Sequence, residues 1–159
     1  MQRNVMTHDS KFRLEVPAFM RQLMSDFQLR DFHAGGVFGN IGYECAGFTI
    51  LHELGQPDGQ GGYGWAQWTG PRRVQFMGWC TEHKLEWTSD RANFGFLEHE
   101  LKTSQSNAIS ALLKTSTLEA AVQAFERNFE RAGVPNYPSR IKWALIAMDA
   151  FNKEQPHIS

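Results

Sequence analysis

G-N-I-G-Y-E at residues 39–44 and G-G-Y-G-W-A-Q-W-T-G at residues 61–70 are the stretches that decide the fold. The first stretch places the carboxyl group of Glu44 at the end of a predicted helix. The second stretch is rich in glycine and aromatic residues and contains one glutamine, Gln67. Hexose rings have apolar faces edged by hydroxyl groups, so glycan sites combine aromatic surfaces with amide and charged groups. Together the two stretches predict a sugar-binding cleft that contains an acid.

The composition is that of one globular domain. The chain has 159 residues, of which 42% are hydrophobic and 21% are charged, which is enough for one hydrophobic core. Its formal net charge of -1 gives no overall attraction to nucleic acid or to an anionic membrane. We therefore expect one catalytic domain over residues 1–159, with residues 1–14 as an N-terminal extension, and no nucleic-acid partner.

The sequence predicts neither a secretory signal nor a membrane insertion. Residues 1–14 lack the apolar core of a signal peptide, and no run of about 18 apolar residues occurs. The two cysteines, Cys45 and Cys80, are too few for a disulfide framework and lack the spacing of metal ligands, so we interpret both as reduced core thiols. The histidines show no ligand spacing either, and we expect no metal and no cofactor.

Apolar residues recur at helical spacing along most of the chain. Residues 16–27 predict a first helix, residues 33–36 a break, and residues 37–44 a short second helix that ends at Glu44. Val74 and Leu145 are assigned to the buried faces of later helices. The same periodicity, with caps at Ser89 or Asp90 and a capping box that starts at Ser116, predicts further helices. These span residues 72–83, 90–101, 108–113, 118–129 and 138–148.

The pattern changes between the second and third helices. Residues 48–54 contain the branched residues typical of a short strand, and Q-P-D-G at residues 56–59 predicts a turn. We expect a small β-hairpin or an ordered loop at this place. The predicted fold class is therefore mainly α, a helical bundle with a small β-hairpin or loop insertion that flanks the cleft.

Three motifs carry a family resemblance. They are A-G-G-V-F-G-N-I-G-Y-E at residues 34–44, G-G-Y-G-W-A-Q-W-T-G-P-R-R at residues 61–73 and F-E-R-A-G-V-P at residues 129–135. With them the chain resembles the phage tail lysozyme family of peptidoglycan hydrolases over residues 16–151. That family is similar to the wider lysozyme-like group, which includes the lytic transglycosylases. The resemblance implies an α+β lysozyme-like fold.

Glu44 is the predicted general acid. Cleavage of a glycosidic bond needs a proton for the leaving oxygen, and burial beside apolar groups keeps a glutamate protonated near neutral pH. Tyr43 and Phe48 are apolar neighbours in sequence. The alternative is a glutamate that ends a helix on a solvated face. Cys45 stands where the lysozyme-like group has a serine.

Glu53 is the predicted second carboxylate, nine positions after Glu44. It would hold the attacking water or stabilise an oxocarbenium ion. Asp58 lies in a turn and is the weaker candidate. Tail lysozymes and transglycosylases need not use a second acid, so the alternative of a solvated glutamate on a short strand stays open.

The predicted substrate-binding side chains come from two segments. In the first segment, alternation along an extended arm assigns Tyr63, Trp65 and Gln67 to the cleft. The same alternation favours burial of the ring of Trp68, which remains a candidate. The second segment would form the opposite wall, with a surface helix start as the alternative. The candidates are Tyr63, Trp65, Gln67, Trp68, Asn136, Tyr137 and Arg140.

The resemblance implies a monomeric endolysin that cleaves between N-acetylmuramic acid and N-acetylglucosamine. Such an enzyme stays in the host cytoplasm until lysis and acts on the cell wall from the periplasm, and a single domain of this kind is typical of a phage with a Gram-negative host. Peptidoglycan glycan strands are then its partner. Two alternatives stay open: a lytic transglycosylase, which forms an anhydro product, and a virion tail component or inactive glycan-binding module.

Overall fold

Seven α-helices make up most of the described part of the chain. The computed structural model describes residues 9–154, so residues 1–8 of the predicted N-terminal extension lie outside the described residues. The mainly α class is confirmed, and no helix among residues 9–154 is long and apolar enough to cross a bilayer. The helices are α1 (Ser10–Phe27), α2 (Asp31–Glu44), α3 (Gly70–His83), α4 (Asp90–Lys102), α5 (Ser106–Leu113), α6 (Leu118–Phe125) and α7 (Tyr137–Glu154). A π-helical turn, Glu126–Glu130, follows α6.

Helix α2 is the central element, and it packs most closely against α7 and α6. The predicted break at residues 33–36 is wrong, because the glycines there serve packing and do not end a helix. A Cβ atom on Gly36 would lie 2.7 Å from the Cβ atom of Ala121 in α6, and one on Gly39 would lie 2.5 Å from that of Ala144 in α7. Close approach of these three helices therefore depends on hydrogen at both positions.

Helix α1 begins at Ser10, earlier than the predicted start at Val16. Phe12 is fully buried and lies four residues before Val16, so the apolar face extends by one more turn. Residues 10–14, predicted to belong to an N-terminal extension, are thus part of α1. Charged residues on the other faces of this turn hide the signal in the sequence.

Two helix starts test the predicted caps. Ser89, one of the two predicted caps, is the N-cap of α4, and its hydroxyl accepts a hydrogen bond from the backbone nitrogen of Ala92. The predicted capping box at Ser116 is one residue early. Thr117 is the N-cap of α6, and its hydroxyl accepts a hydrogen bond from the backbone nitrogen of Ala120 at 3.1 Å.

Two predicted core residues lie on the surface. Val74 is 72% exposed and Leu145 is 57% exposed. In α3 the buried residues are Phe76 and Cys80, and in α7 small alanines such as Ala147 face the core. The helical period was predicted correctly, but the larger apolar residues were assigned to the buried face, and for these two residues that assignment is wrong. The close packing against α2 selects small residues on that face of α7.

Residues 45–69 form an ordered loop and not a β-hairpin. The facing arms make only isolated antiparallel bridges, His52 with Tyr63 and Tyr63 with Trp68. Gly64 and Gln67 have positive φ angles of 84° and 52°, so the chain turns where a strand would continue. Of the two predicted forms of this insertion, the structure has the loop.

Candidate active site

A cavity of about 550 Å³ opens at the end of α2. The 45–69 loop, the start of α3 and the segment after the π-helical turn form its other walls. Glu44 and Glu53, the two predicted catalytic residues, both line this cavity, and so does a third carboxylate, Glu130. Residues far apart in sequence therefore meet in one acidic cleft.

Cys45 ends the helix that carries Glu44. Its thiol donates a hydrogen bond to the carbonyl oxygen of Ile41 at 3.1 Å, and its sulfur accepts one from the backbone nitrogen of Phe48 at 3.3 Å. These bonds join the last turn of α2 to the start of the loop, as a serine hydroxyl would do. Cys45 and Cys80 are both free and buried. Burial raises the pKa of the Cys45 thiol.

Glu44 combines burial with an ion pair. Its side chain is 17% exposed, and Oε1 lies 2.8 Å from Nη2 of Arg140. Burial raises the pKa of Glu44, the guanidinium group of Arg140 opposes that shift, and the charges of Glu126 and Glu53 add to it. The net direction is upward, because the cost of burying a charge outweighs the ion pair.

Arg140 lies behind Glu44 and not in a wall of the cleft. It is 1% exposed, so the predicted role in direct substrate binding is wrong. Nη1 donates a hydrogen bond to Oδ1 of Asn40 at 3.1 Å, Nε donates to the carbonyl oxygen of Pro135, and the guanidinium group lies 4.5 Å from the ring centre of Tyr43. These contacts fix Arg140, and Arg140 in turn fixes the carboxyl group of Glu44.

Glu53 reaches the cavity from the 45–69 loop. Its Oε2 accepts a hydrogen bond from the backbone nitrogen of Gly62 at 2.8 Å. Its own backbone nitrogen donates to the carbonyl oxygen of Gly62 at 2.8 Å. The two bonds tie both ends of the residue to the opposite arm of the loop. The carboxyl group is thereby held toward Glu44, whose pKa its charge raises.

Gln67 lines the cavity, but its amide hydrogens are used within the loop. Nε2 donates hydrogen bonds to the carbonyl oxygens of Leu51 at 2.7 Å and Gly64 at 2.9 Å. An amide nitrogen has two hydrogens, so Oε1 is the atom of this group that can serve a ligand.

No group of three or more metal-ligating side chains is present among residues 9–154 that could hold a metal ion.

A family model described as phage tail lysozyme matches residues 17–151, which is most of the chain. The protein belongs to the phage tail lysozyme family. A search of curated proteins found no match to this chain. The family is one of lysozyme-like peptidoglycan hydrolases, and the matched range contains every residue that lines the cavity.

Two tryptophans of this tail lysozyme family member are structural. Trp65 is fully buried, and its ring centre lies 4.5 Å from that of Phe48 and 4.8 Å from that of Phe19. The prediction that Trp65 binds substrate is therefore wrong, because its ring presents no surface to a sugar. Trp68 is 1% exposed and backs the cavity wall. The alternation rule fails for Trp65 because the chain turns at Gly64, whereas the burial that it favoured for Trp68 is confirmed.

The remaining predicted binding residues support the walls of the lysozyme cleft. Tyr63 is half-buried, packs under the guanidinium group of Arg73 and lies outside the cavity lining. Asn136 donates a hydrogen bond from Nδ2 to the hydroxyl oxygen of Tyr43 at 3.0 Å. The hydroxyl group of Tyr137 donates to Oε1 of Glu126 at 2.7 Å. The last two contacts hold the segment that forms the opposite wall.

The sequence analysis missed three charged residues that line the tail lysozyme cleft, Arg72, Glu130 and Arg131. Glu100 accepts hydrogen bonds from Nε and Nη2 of Arg72 at 2.9 and 2.7 Å and from Nε1 of Trp68 at 2.7 Å. Arg72 also donates to the carbonyl oxygen of Phe129, which joins α3 to the wall that contains Glu130. Arg72 and Glu130 both lie within the motifs that carry the family resemblance, which was the available signal.

Proposed function

We propose that this protein hydrolyses the glycan backbone of peptidoglycan between N-acetylmuramic acid and N-acetylglucosamine, with Glu44 as general acid. One observation carries the proposal. Glu44 lies at the wall of the cleft, and its pKa is raised by burial. A protonated carboxyl group at that place can deliver a proton to the leaving oxygen of a bound glycan.

Arg140 contributes to the proposed proton transfer. Once Glu44 has given up its proton, the carboxylate that remains lies 2.8 Å from the guanidinium group. The ion pair stabilises this product of the transfer, whereas burial stabilises the protonated reactant.

Glu53 is the proposed partner of Glu44. It faces the same cavity and is held by the backbone nitrogen of Gly62. A carboxylate in this position would orient the attacking water or stabilise the oxocarbenium ion. The glycan would then pass between the end of α2 and the 45–69 loop.

The biological role that fits this activity is lysis of the host cell. We propose that the protein acts as a monomeric endolysin, which remains in the host cytoplasm until the inner membrane is opened and then cleaves the wall from the periplasm. A virion-associated enzyme would use the same cleft chemistry at the start of infection.

Mass spectrometry of fragments released from purified peptidoglycan tests the function. We expect muropeptides with a reducing N-acetylmuramic acid end, because water attacks the sugar. An anhydro end would identify a lytic transglycosylase, and a reducing N-acetylglucosamine end would assign the other glycosidic bond. Binding to peptidoglycan without released fragments would indicate a glycan-binding module and would contradict the proposal.

A further inference from the structure

Glu130 is a carboxyl group of the cavity that the proposed mechanism does not use. It lines the cavity together with Glu44 and is half-buried as a residue. Its Oε1 atom is buried and has no hydrogen-bond partner among the described residues. A buried polar atom without a partner destabilises the folded state, so its presence at a cleft indicates a group that completes it.

The backbone that carries Glu130 is held in place on both sides. Glu130 ends the π-helical turn, and the next residue, Arg131, has a positive φ angle of 51°. The backbone nitrogen of Arg131 donates a hydrogen bond to the carbonyl oxygen of Glu126 at 2.6 Å. Oε2 of Glu126 accepts a hydrogen bond from the backbone nitrogen of Ala132 at 2.9 Å. π-Helical turns are frequent at functional sites, and this one places Glu130 on a fixed wall.

The surroundings of Glu130 favour its neutral form. Burial raises the pKa of Glu130 well above its usual value, and the charge of Glu44 when it is ionised and the charge of Glu100 raise that pKa further. Arg140 and Arg72 oppose this shift. Their guanidinium groups are already paired, with Glu44 and with Glu100 respectively. A neutral carboxyl group is neither a nucleophile nor a base, but it has one hydrogen-bond donor next to one acceptor.

We propose that Glu130 binds the substrate, and that its carboxyl group forms a hydrogen bond with an amide group of the glycan strand. The amides of acetamido groups and of peptide links are trans, so their N–H and C=O bonds point in opposite directions and one carboxyl group meets one of the two. A neutral carboxyl group can donate its O–H to an amide carbonyl oxygen or accept a hydrogen bond from an amide N–H. In peptidoglycan this chemistry occurs in the acetamido groups of the sugars and in the peptide stems. The inference rests on the proposed function for the identity of the substrate.

Two neutral replacements of Glu130 test this pairing. Glu130→Gln keeps a donor and an acceptor, whereas Glu130→Leu removes both. Each is made in the Glu44→Gln protein, so that binding is measured by calorimetry without turnover. The ligands are the hexamer of N-acetylglucosamine, the hexamer of glucosamine and de-N-acetylated peptidoglycan that retains its stems.

We expect Glu130→Leu to weaken the affinity for the acetylated hexamer about tenfold relative to the Glu44→Gln protein. The affinity of Glu130→Gln should stay within about threefold of that protein. On the glucosamine hexamer the two variants should bind equally, because the amide is missing. A difference between them on de-N-acetylated peptidoglycan assigns the pairing to the stems, and no difference there assigns it to the acetamido groups. Equal affinities of both variants for all three ligands would overturn the inference.

Thermal unfolding is the control for folding, and Glu130→Met is the second apolar variant if Glu130→Leu does not fold. The binding assay is independent of turnover. If the protein that retains Glu44 cleaves no peptidoglycan but the two Glu130 variants still differ in binding, the pairing stands and the proposed function is rejected. If the Glu44→Gln protein with Glu130 unchanged binds none of the ligands, both the pairing and the proposed function are rejected.

Discussion

At the scale of single residues, Glu44 and Arg140 form the pair on which the proposed chemistry depends. Arg140 is almost completely buried and is held by Asn40 and Pro135 before it reaches Glu44. A buried charge of this kind is stable only with its partner, so the two residues act as one unit. The orientation of the acid and its readiness to release a proton both follow from this contact.

The pH dependence of hydrolysis tests this unit. Arg140 lowers the pKa of Glu44, so removal of the guanidinium group in Arg140→Gln raises that pKa further. The proposed mechanism needs protonated Glu44, so activity should be lost as the pH rises through the pKa of Glu44. The alkaline limb of kcat/KM should therefore move to higher pH in Arg140→Gln and less in Arg140→Lys, which keeps the charge. A limb that stays in place would show that the contact does not set the acidity of Glu44.

The same substitution should destabilise the fold. Above the pKa of Glu44 the pair is charged, and removal of one partner from a buried ion pair then costs about 3–5 kcal/mol of unfolding free energy. Denaturant unfolding at one pH measures this loss. Arg140→Lys should lose less than Arg140→Gln, and a loss near zero for Arg140→Gln would mean that the ion pair is not desolvated.

At the scale of elements, the glycines of α2 set how closely α7 approaches. A Cβ atom at Gly39 would lie 2.5 Å from the Cβ atom of Ala144 and 2.8 Å from the carbonyl oxygen of Arg140. The contact involves the backbone that carries Arg140, so packing and acid placement are coupled. Helix period and caps predict where such elements lie, but not this dependence on glycine.

Gly39→Ala should therefore lower the unfolding free energy by about 1–3 kcal/mol, as overpacking does. The matched control is Gly78→Ala in α3, where nothing lies within 4 Å of the added Cβ atom. That change should stabilise the protein by about 0.5–1 kcal/mol, because alanine favours a helix. Denaturant unfolding of both variants compares the signs. A stabilising effect of Gly39→Ala would contradict the close contact of α2 and α7.

A second element-scale prediction concerns α1 and α4, which face each other through Asp26 and Glu98. Burial, followed by the hydrogen bond with Asp26, raises the pKa of Glu98 from 4.5 to about 8. Between these two values the folded protein binds a proton that the unfolded chain has released, so stability falls as the pH rises. The lowered pKa of Asp26 acts only at lower pH, below its usual value of 3.8.

The melting temperature should accordingly fall as the pH is raised from 5 to 9, with part of the fall due to Glu98. Glu98→Gln should reduce that part of the decrease and should gain stability relative to the parent at the alkaline end. Thermal unfolding across this pH range is the measurement. Equal slopes for the two proteins would show that Glu98 is ionised in the folded state at neutral pH.

At the scale of the whole molecule, local pattern predicted the elements, and tertiary contacts decided the site. The mainly α class, the end of α2 at Glu44 and the turn chemistry of the loop follow from spacing and residue type. The burial of Trp65 does not, because it depends on rings from α1 and α2 that meet the loop only after folding. Glu130 is 86 positions after Glu44, and only the fold shows that both face one cavity.

The role of Glu44 as the general acid is tested most directly by Glu44→Gln. Release of soluble fragments from purified peptidoglycan is measured for the parent protein, for Glu44→Gln and for Glu86→Gln, which changes an exposed glutamate outside the cavity. We expect Glu44→Gln to lose at least about a hundredfold in rate, within the range that a general acid contributes, while it stays folded. Glu86→Gln should match the parent. A folded Glu44→Gln protein that digests peptidoglycan at the rate of the parent would contradict the account.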